Sequence, residues 1–243
     1  MISKVLKYIL LNFISVKNQT RLNHNIMDKR FTDSIDIKKN DLIIDVGSHM
    51  GESIDRFLKI NKNIIIHSFE PNNECYQKIF KKYHKFYNIR VNNLALGSKK
   101  STKIFYINNN SQTSSFYKIN KKFKFENEKF KTIKTKKVAI EKLDNYCNKN
   151  KIKKINFLKL DCQGWEKEIL FGAKNLLKKK CIKKIQIEIT LCDHYEKTFN
   201  FFEFEKILLK YGFSLVNISN PTWDNNEKKI LWLDALYSLR NNK

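Results

Sequence analysis

From residue 41 onward, short apolar runs alternate with segments whose apolar residues recur at helical spacing. That alternation is the mark of βαβ units, and it limits the possible folds more than any other feature. Strands are expected at Asp41–Val46, Asn63–Phe69, Ile89–Leu96, Thr102–Ile107, Lys154–Leu160, Lys184–Ile189, Phe213–Ile218 and Ile230–Leu239. Helices are expected at Gly51–Ile60, Asn72–Lys82, Glu141–Asn148, Trp165–Leu177 and Phe201–Lys210. The pattern predicts an α/β fold, a doubly wound, mostly parallel seven-stranded sheet. Only a loop separates the last two strands, and a parallel pair needs a longer crossover, so the final strand should run antiparallel.

Residues 1–40 read as an N-terminal helical extension and 41–243 as a single domain. Within Met1–Val16, Ile2, Val5, Leu6, Ile9, Leu10 and Phe13 form a stripe at helical spacing. This run is shorter than the roughly 20 apolar residues of a membrane span. The following ISVKNQT offers no small-residue cleavage site. The first expectation is a helix packed on the domain; the second is weak association with a membrane surface. Residues 108–137 form a Lys-rich insertion in which Phe123, Phe125, Phe130 and Ile133 are spaced as in ordered structure.

Composition removes several classes. The chain has 243 residues, 42% of them apolar, enough for one core. Its five cysteines, Cys75, Cys147, Cys162, Cys181 and Cys192, form no CxxC pair. A disulfide framework or structural zinc site is therefore not expected, and free thiols without a persuasive signal point to the cytoplasm. Lys plus Arg outnumber Asp plus Glu 48 to 24, a net charge of +24. Nearly all of the basic residues are lysines spread along the whole chain. A solvated lysine surface is the first reading and an anionic partner the second. Scarce arginine argues against specific nucleic-acid recognition.

In open α/β sheets, ligands bind beyond the carboxyl ends of the strands. The first strand ends in Asp45-Val46-Gly47-Ser48-His49-Met50-Gly51-Glu52-Ser53. The two glycines allow a tight turn against a ligand, but the GxGxxG dinucleotide fingerprint and the GxxxxGK[ST] phosphate loop are both missing. An acid at this strand end, Asp45, suits a cationic amino-acid group better than a pyrophosphate. The second strand ends in Glu70-Pro71-Asn72, where a carboxylate can accept hydrogen bonds from ribose hydroxyls. The third ends in Asn93-Leu94-Ala95-Leu96, the next main strand in Asp161-Cys162-Gln163-Gly164, and the one after in Glu188-Ile189-Thr190.

The pieces IIDVGSHMGES, SFEPNNECYQKI, NNLALGS, IEKLDNYC, INFLKLDCQGWEKEILFGAKNLL, IQIEI and DALYSL occur in that order across residues 41–239. In this order and spacing the chain resembles the FkbM family of S-adenosylmethionine-dependent methyltransferases, of the Rossmann-like class I. The resemblance implies an O-methyltransferase acting on a hydroxyl of a glycan or related small molecule. It places Asp45, Gly47, Ser48, His49 and Gly51 in the cofactor loop and Glu70 with Pro71 at the ribose. Asn93, Ala95 and Leu96 fall beside the adenine, and Asp161 follows the fourth strand. Gln163 departs from the family pattern D-x-E-G.

A hydroxyl acceptor needs a base or a metal. Asp161, Glu188 and His194 are the catalytic candidates, and His49 is expected to shape the loop. Mg²⁺ held by Asp161, Glu188 and Asp193 is possible but not expected. The acceptor should enter between 108–118, 190–200 and 219–229, with Trp223 and Tyr195 available to stack and Ser114 or Ser115 to hydrogen-bond. Two other readings are an RNA or other nucleic-acid methyltransferase, motivated by the charge, and a decayed cofactor-binding scaffold, motivated by Gln163.

Overall fold

In a computed structural model of the chain, residues 29–121, 130–197, 199–219, 221–224 and 228–240 are described. The expected helix at 1–16, and Phe123 and Phe125, lie outside the described residues. Among the described residues the first helical stretch, α1, covers residues 29–35. Then come β1 (Leu42–Val46), α2 (Glu52–Ile60), β2 (Ile65–Phe69), α3 (Asn73–Tyr83), β3 (Ile89–Asn92), β4 (Ala95–Leu96) and β5 (Ser101–Asn108). After a 3-10 turn at Ser111–Thr113 follow β6 (Thr132–Glu141), α4 (Leu143–Lys149), β7 (Ile155–Leu160), α5 (Glu166–Gly172) and α6 (Lys174–Lys178). The chain finishes with β8 (Ile182–Thr190), α7 (Phe201–Lys210), β9 (Phe213–Ile218), β10 (Thr222–Asp224) and β11 (Lys229–Leu239).

The main sheet has the order β3-β2-β1-β7-β8-β11, with β9 and β10 both pairing β11. Strands β3, β2, β1, β7 and β8 are mutually parallel. Strand β11 runs antiparallel to β8 and β9, as the short connection requires. The chain leaves β1 for β2 and β3 on one side and returns to β7 on the other. The topological switch point therefore lies between the carboxyl ends of β1 and β7.

Four details differ from the sequence reading. The sheet has eight strands because the loop before β11 pairs with it over Thr222–Asp224. The expected third strand is two strands. Asn92 and Asn93 turn their side-chain amides onto the carbonyls of Ser68 and Glu70, both at 2.9 Å. The chain then bends away, and Ala95–Leu96 joins β6 and β5 in a separate three-stranded sheet. The strand expected at 102–107 thus lies outside the main sheet. The helix expected at 165–177 breaks at Ala173, after Gly172, where an added Cβ would lie 2.0 Å from the Gly97 carbonyl oxygen. Past the break, the buried Asp144 carboxylate accepts from the amides of Asn175 (3.0 Å) and Leu176 (3.1 Å), capping the new helix start.

The central strands are covered on both faces, so their apolar runs are continuous: Ile43, Ile44, Leu158, Leu160, Ile185 and Ile187 are fully buried. On one face α2 turns Ile54 and Phe57 inward, with Glu52 and Asp55 in its first turn and Lys59 in its last, as the helix dipole favours. Phe31, Ile35 and Ile37 join that cluster, so residues 29–37 share the domain's core. On the other face α7 starts with a reciprocal Asn200–Glu203 capping box and buries Phe204 and Leu208. Among the described residues no helix is long and apolar enough to cross a membrane.

Asp144→Ala should cost about 1–2 kcal/mol, the scale of a lost helix cap. Urea unfolding would show it as a lower midpoint with an unchanged slope, and an unaltered midpoint would refute the capping role.

Candidate active site

The loop leaving β1 is held by its own backbone geometry. Gly47 has φ +80°, and a Cβ there would lie 1.8 Å from the Asp161 carbonyl oxygen. Only glycine lets the ends of β1 and β7 touch in this way. Ser48 donates to the Asp45 carbonyl (3.1 Å) and accepts from the Ser68 hydroxyl (2.7 Å). The His49 ring pairs with Glu52 at 3.1 Å and with the Ser111 hydroxyl at 2.7 Å, linking the loop to the 3-10 turn.

The Glu70 carboxylate is clamped by backbone. One oxygen accepts from His49 N–H (2.9 Å), the other from Asn72 N–H (2.8 Å). Burial pushes its pKa up to about 8 despite these two donors. Pro71, Leu94, Ala95 and Leu96 continue the wall beside it. Trp165 supports that wall by donating its indole N–H to the Leu96 carbonyl at 2.9 Å.

Opposite stands a charged network that sequence reading missed in part. Lys159 is buried within β7, its ammonium 3.1 Å from Asp161 and 3.6 Å from Asp45. Burial opposes the charge on Lys159, but Asp161 and Asp45 outweigh it and raise its pKa. Burial likewise opposes ionisation of Asp161, yet Lys159 and the Gln163 amide hold its pKa below the usual carboxylate value. Gln163, at φ 56°, donates its amide to Asp161 (3.2 Å) and to Glu188 (2.8 Å). Its side-chain oxygen accepts from the Tyr195 hydroxyl at 2.7 Å. Among the described residues Glu188 forms no ion pair, and the attraction of Lys159 is outweighed. Burial, then the charges of Asp161, Glu166 and Asp234, raise its pKa well above the ordinary value.

These groups surround one cavity of about 680 Å³ at the switch point. Of the residues expected from sequence, Gly47, Ser48, His49, Glu70, Pro71, Ala95, Leu96, Asp161, Glu188 and His194 line it. Asp45, Gly51 and Asn93 do not: Asp45 lies under the loop against Lys159 and Ser53 (2.5 Å), and Gly51 turns the chain into α2. Arg56, Lys159, Gln163 and Trp232 line it without having been singled out as cofactor or catalytic residues. A lysine in the mostly apolar central strand INFLKL was the available signal, since a buried cation must be paired.

His194 is buried, stacked on Tyr195 at 4.3 Å with Phe130 edge-on at 4.9 Å. Burial pushes its pKa down to about 4, so the ring is neutral near pH 7. The Lys-rich insertion reaches this end of the cavity: Ile119 bridges Tyr195, and Asn120 N–H donates to the His194 carbonyl at 2.9 Å. Ser114 lines the cavity, whereas Ser115 donates to the Gln163 carbonyl at 2.7 Å. Tyr195 is buried, and Trp223 lies outside the cavity lining. Among the described residues no three His, Cys, Asp or Glu side chains are grouped to hold a metal. Asp193 is exposed and apart from the acids of the cavity.

The strand order, the glycine turn after β1 and an acid at the end of β2 define a Rossmann-like class I methyltransferase fold. Residues 45–215 match the model of the methyltransferase FkbM domain, and the chain belongs to this S-adenosylmethionine-dependent family. A search of curated protein sequences returned no significant match. Similar solved structures include an S-adenosylmethionine-dependent methyltransferase from Aquifex aeolicus, with 12% identity and TM-score 0.47 over 94% of this chain and 98% of that one. Another is the fibrillarin pre-rRNA processing protein of Methanococcus jannaschii, with 14% identity and TM-score 0.48 over 84% and 69%. A third is M. capricolum TrmK with S-adenosylhomocysteine, with 11% identity and TM-score 0.46 over 86% and 67%.

Glu70 and Glu166 have pKa values pushed by burial from 4.5 up to about 8 and about 7. Between those limits each binds more protons folded than unfolded, so each loses stability as pH rises. Buried His67 and His194, with pKa values near 4, oppose this only below their ordinary 6.5. Stability of the ligand-free protein should therefore fall from about pH 6.5 to pH 8, and Glu166→Gln should flatten the slope. Thermal unfolding across that range would contradict the assignment if stability stayed level or rose.

Proposed function

We propose that this chain transfers a methyl group from S-adenosylmethionine to a hydroxyl of a sugar, glycan or related hydroxylated metabolite. One observation carries the reading. A single cavity at the switch point holds the backbone-clamped Glu70 on one wall and the Asp161–Gln163–Glu188 network on the other.

The residues present fit the cofactor. Glu70 would accept from the ribose hydroxyls. Pro71, Leu94, Ala95 and Leu96 offer an apolar wall for the adenine. The loop from Gly47 to His49, with Asp161, would hold the cationic amino-acid end. When bound, the cofactor supplies an electrophilic methyl carbon on a sulfonium. The chain's own task is to position the acceptor oxygen and remove its proton.

Asp161 and Glu188 differ in fitness for that removal. Asp161 is held ionised by Lys159 and is therefore a weak base. Glu188 has the raised proton affinity that a base requires, and it lines the same cavity. In its ionised form Glu188 takes the acceptor's proton and becomes the neutral acid, while Asp161 contributes negative charge toward the cofactor. His194, neutral and enclosed by rings, builds the acceptor wall with Phe130 and Trp232. Aromatic faces beside the polar Gln112, Ser114 and Thr190 suit a sugar, with C–H faces and hydroxyl edges.

The test is transfer of labelled methyl from the cofactor to a panel of free and hydroxyl-blocked saccharides. Label should enter only acceptors with a free hydroxyl. Glu188→Gln should lower turnover at least about a hundredfold, the scale of general-base loss, with affinity for S-adenosylhomocysteine within about threefold. Transfer to amines or RNA alone, or unchanged turnover in Glu188→Gln, would overturn the reading.

A further inference from the structure

A second recess lies at the other end of the same strands. Strands β7 and β8 begin in register, Ile155 beside Ile182. Lys153 and Lys154, just before β7, come next to Lys180, just before β8, and Lys183, its second residue. Together with Asp36, Lys38, Asp41 and the end of β11 they line an open groove of about 460 Å³. The six residues of β7 separate this groove from the catalytic cavity, roughly 20 Å at the usual rise per residue.

Both acids of the groove are already engaged. Asp36 lies 3.9 Å from the Lys38 ammonium and 3.8 Å from that of Lys184. Lys184 also donates to the Ser34 (3.0 Å) and Ile35 (3.1 Å) carbonyls at the end of α1. Asp41 accepts from the Lys38 backbone N–H at 2.9 Å and from the Asn156 side-chain amide. Lys153, Lys154, Lys180 and Lys183 are exposed, and among the described residues no carboxylate pairs with them. Lys154 and Lys183 crowd one another, which holds the Lys154 ammonium below its ordinary range. Four exposed ammonium groups converge from two strand starts, with Asp41 drawing on Lys154 without pairing it, and call for an external anion.

The sequence narrows what that anion belongs to. The chain reaches the groove from its N-terminal side, through α1 and Asp36. The preceding segment carries the apolar stripe Ile2, Val5, Leu6, Ile9, Leu10 and Phe13 beside Lys4 and Lys7. An apolar stripe with lysines, joined to a lysine cluster, matches an anionic bilayer surface, where acyl chains take the stripe and phosphates the ammonium groups. A soluble phosphate or a nucleic acid would use the lysines alone, whereas a bilayer also engages the stripe.

We propose that this end of the sheet docks on an anionic phospholipid surface, with headgroup phosphates seated among Lys153, Lys154, Lys180 and Lys183. The catalytic cavity, at the opposite strand ends, then faces the aqueous phase. The proposal does not depend on the acceptor.

Sedimentation of the full chain with vesicles tests it, using phosphatidylcholine alone and phosphatidylcholine with phosphatidylserine. The wild type should bind only the anionic vesicles, and less at high salt. Each lysine at such a surface contributes about fivefold in affinity, so K154E/K183E should weaken binding at least about twentyfold. K134E/K136E makes the same change of net charge at exposed positions on β6 and should leave binding nearly intact. Affinity for S-adenosylhomocysteine, unchanged in both variants, would show that they fold. Failure of the wild type to bind anionic vesicles would overturn the proposal. So would equal weakening by both variants, or no weakening by K154E/K183E. Binding of inorganic pyrophosphate or duplex RNA without vesicle binding, lost only in K154E/K183E, would assign the groove to a soluble phosphate and likewise overturn it.

Discussion

The buried Lys159 ammonium, set between Asp45 and Asp161, is the interaction on which the active end of this molecule depends. Asp45 and Lys159 are register partners on the adjacent strands β1 and β7, so the charge contact crosses the switch point itself. It anchors the glycine loop from below and fixes Asp161 at the cavity wall. Removing one member of a buried ion group leaves the others uncompensated, at a cost of about 3–5 kcal/mol. The close contact of Gly47 with the Asp161 backbone has the same effect in steric form. Charge and packing together make the ends of β1 and β7 one rigid floor.

That floor sets two acids, only a side chain apart, in opposite surroundings. Asp161 sits against a cation, Glu188 against other carboxylates. Gln163 joins them without adding charge, its amide donating to both and its oxygen accepting from Tyr195. A glutamate at this position would bring a third carboxylate against the other two, and a proton or a cation would have to compensate it. The departure from the family pattern therefore reads as a working part of the network, and gives no support to a decayed site.

Much of this was legible in the sequence because strand ends are where periodicity is strongest. The run DLIIDVG locates the glycine loop, and SFEP places Glu70 at the end of the neighbouring strand. What stayed hidden depends on partners distant in sequence. Nothing local shows that Asp45 turns under its loop, since its partner Lys159 lies on another strand. Asn93 reads as a cavity residue, yet its amide bends back onto Glu70 and diverts the chain into a second sheet. The break at Ala173 is invisible in a continuous helical pattern, because the cap that replaces the lost turn comes from Asp144. Tyr195 looks like a loop aromatic free to stack on an acceptor, but the fold uses its hydroxyl to hold Gln163.

The central claim is that the switch-point cavity is a nucleoside-sulfonium site anchored by Glu70. Calorimetric titration of the purified chain with S-adenosylhomocysteine, with NADH as the control, tests it most directly. The account predicts micromolar binding of the first ligand and none of the second, with at least a tenfold loss in Glu70→Ala. Absence of binding in well-folded wild-type protein, or affinity indifferent to Glu70, would contradict it.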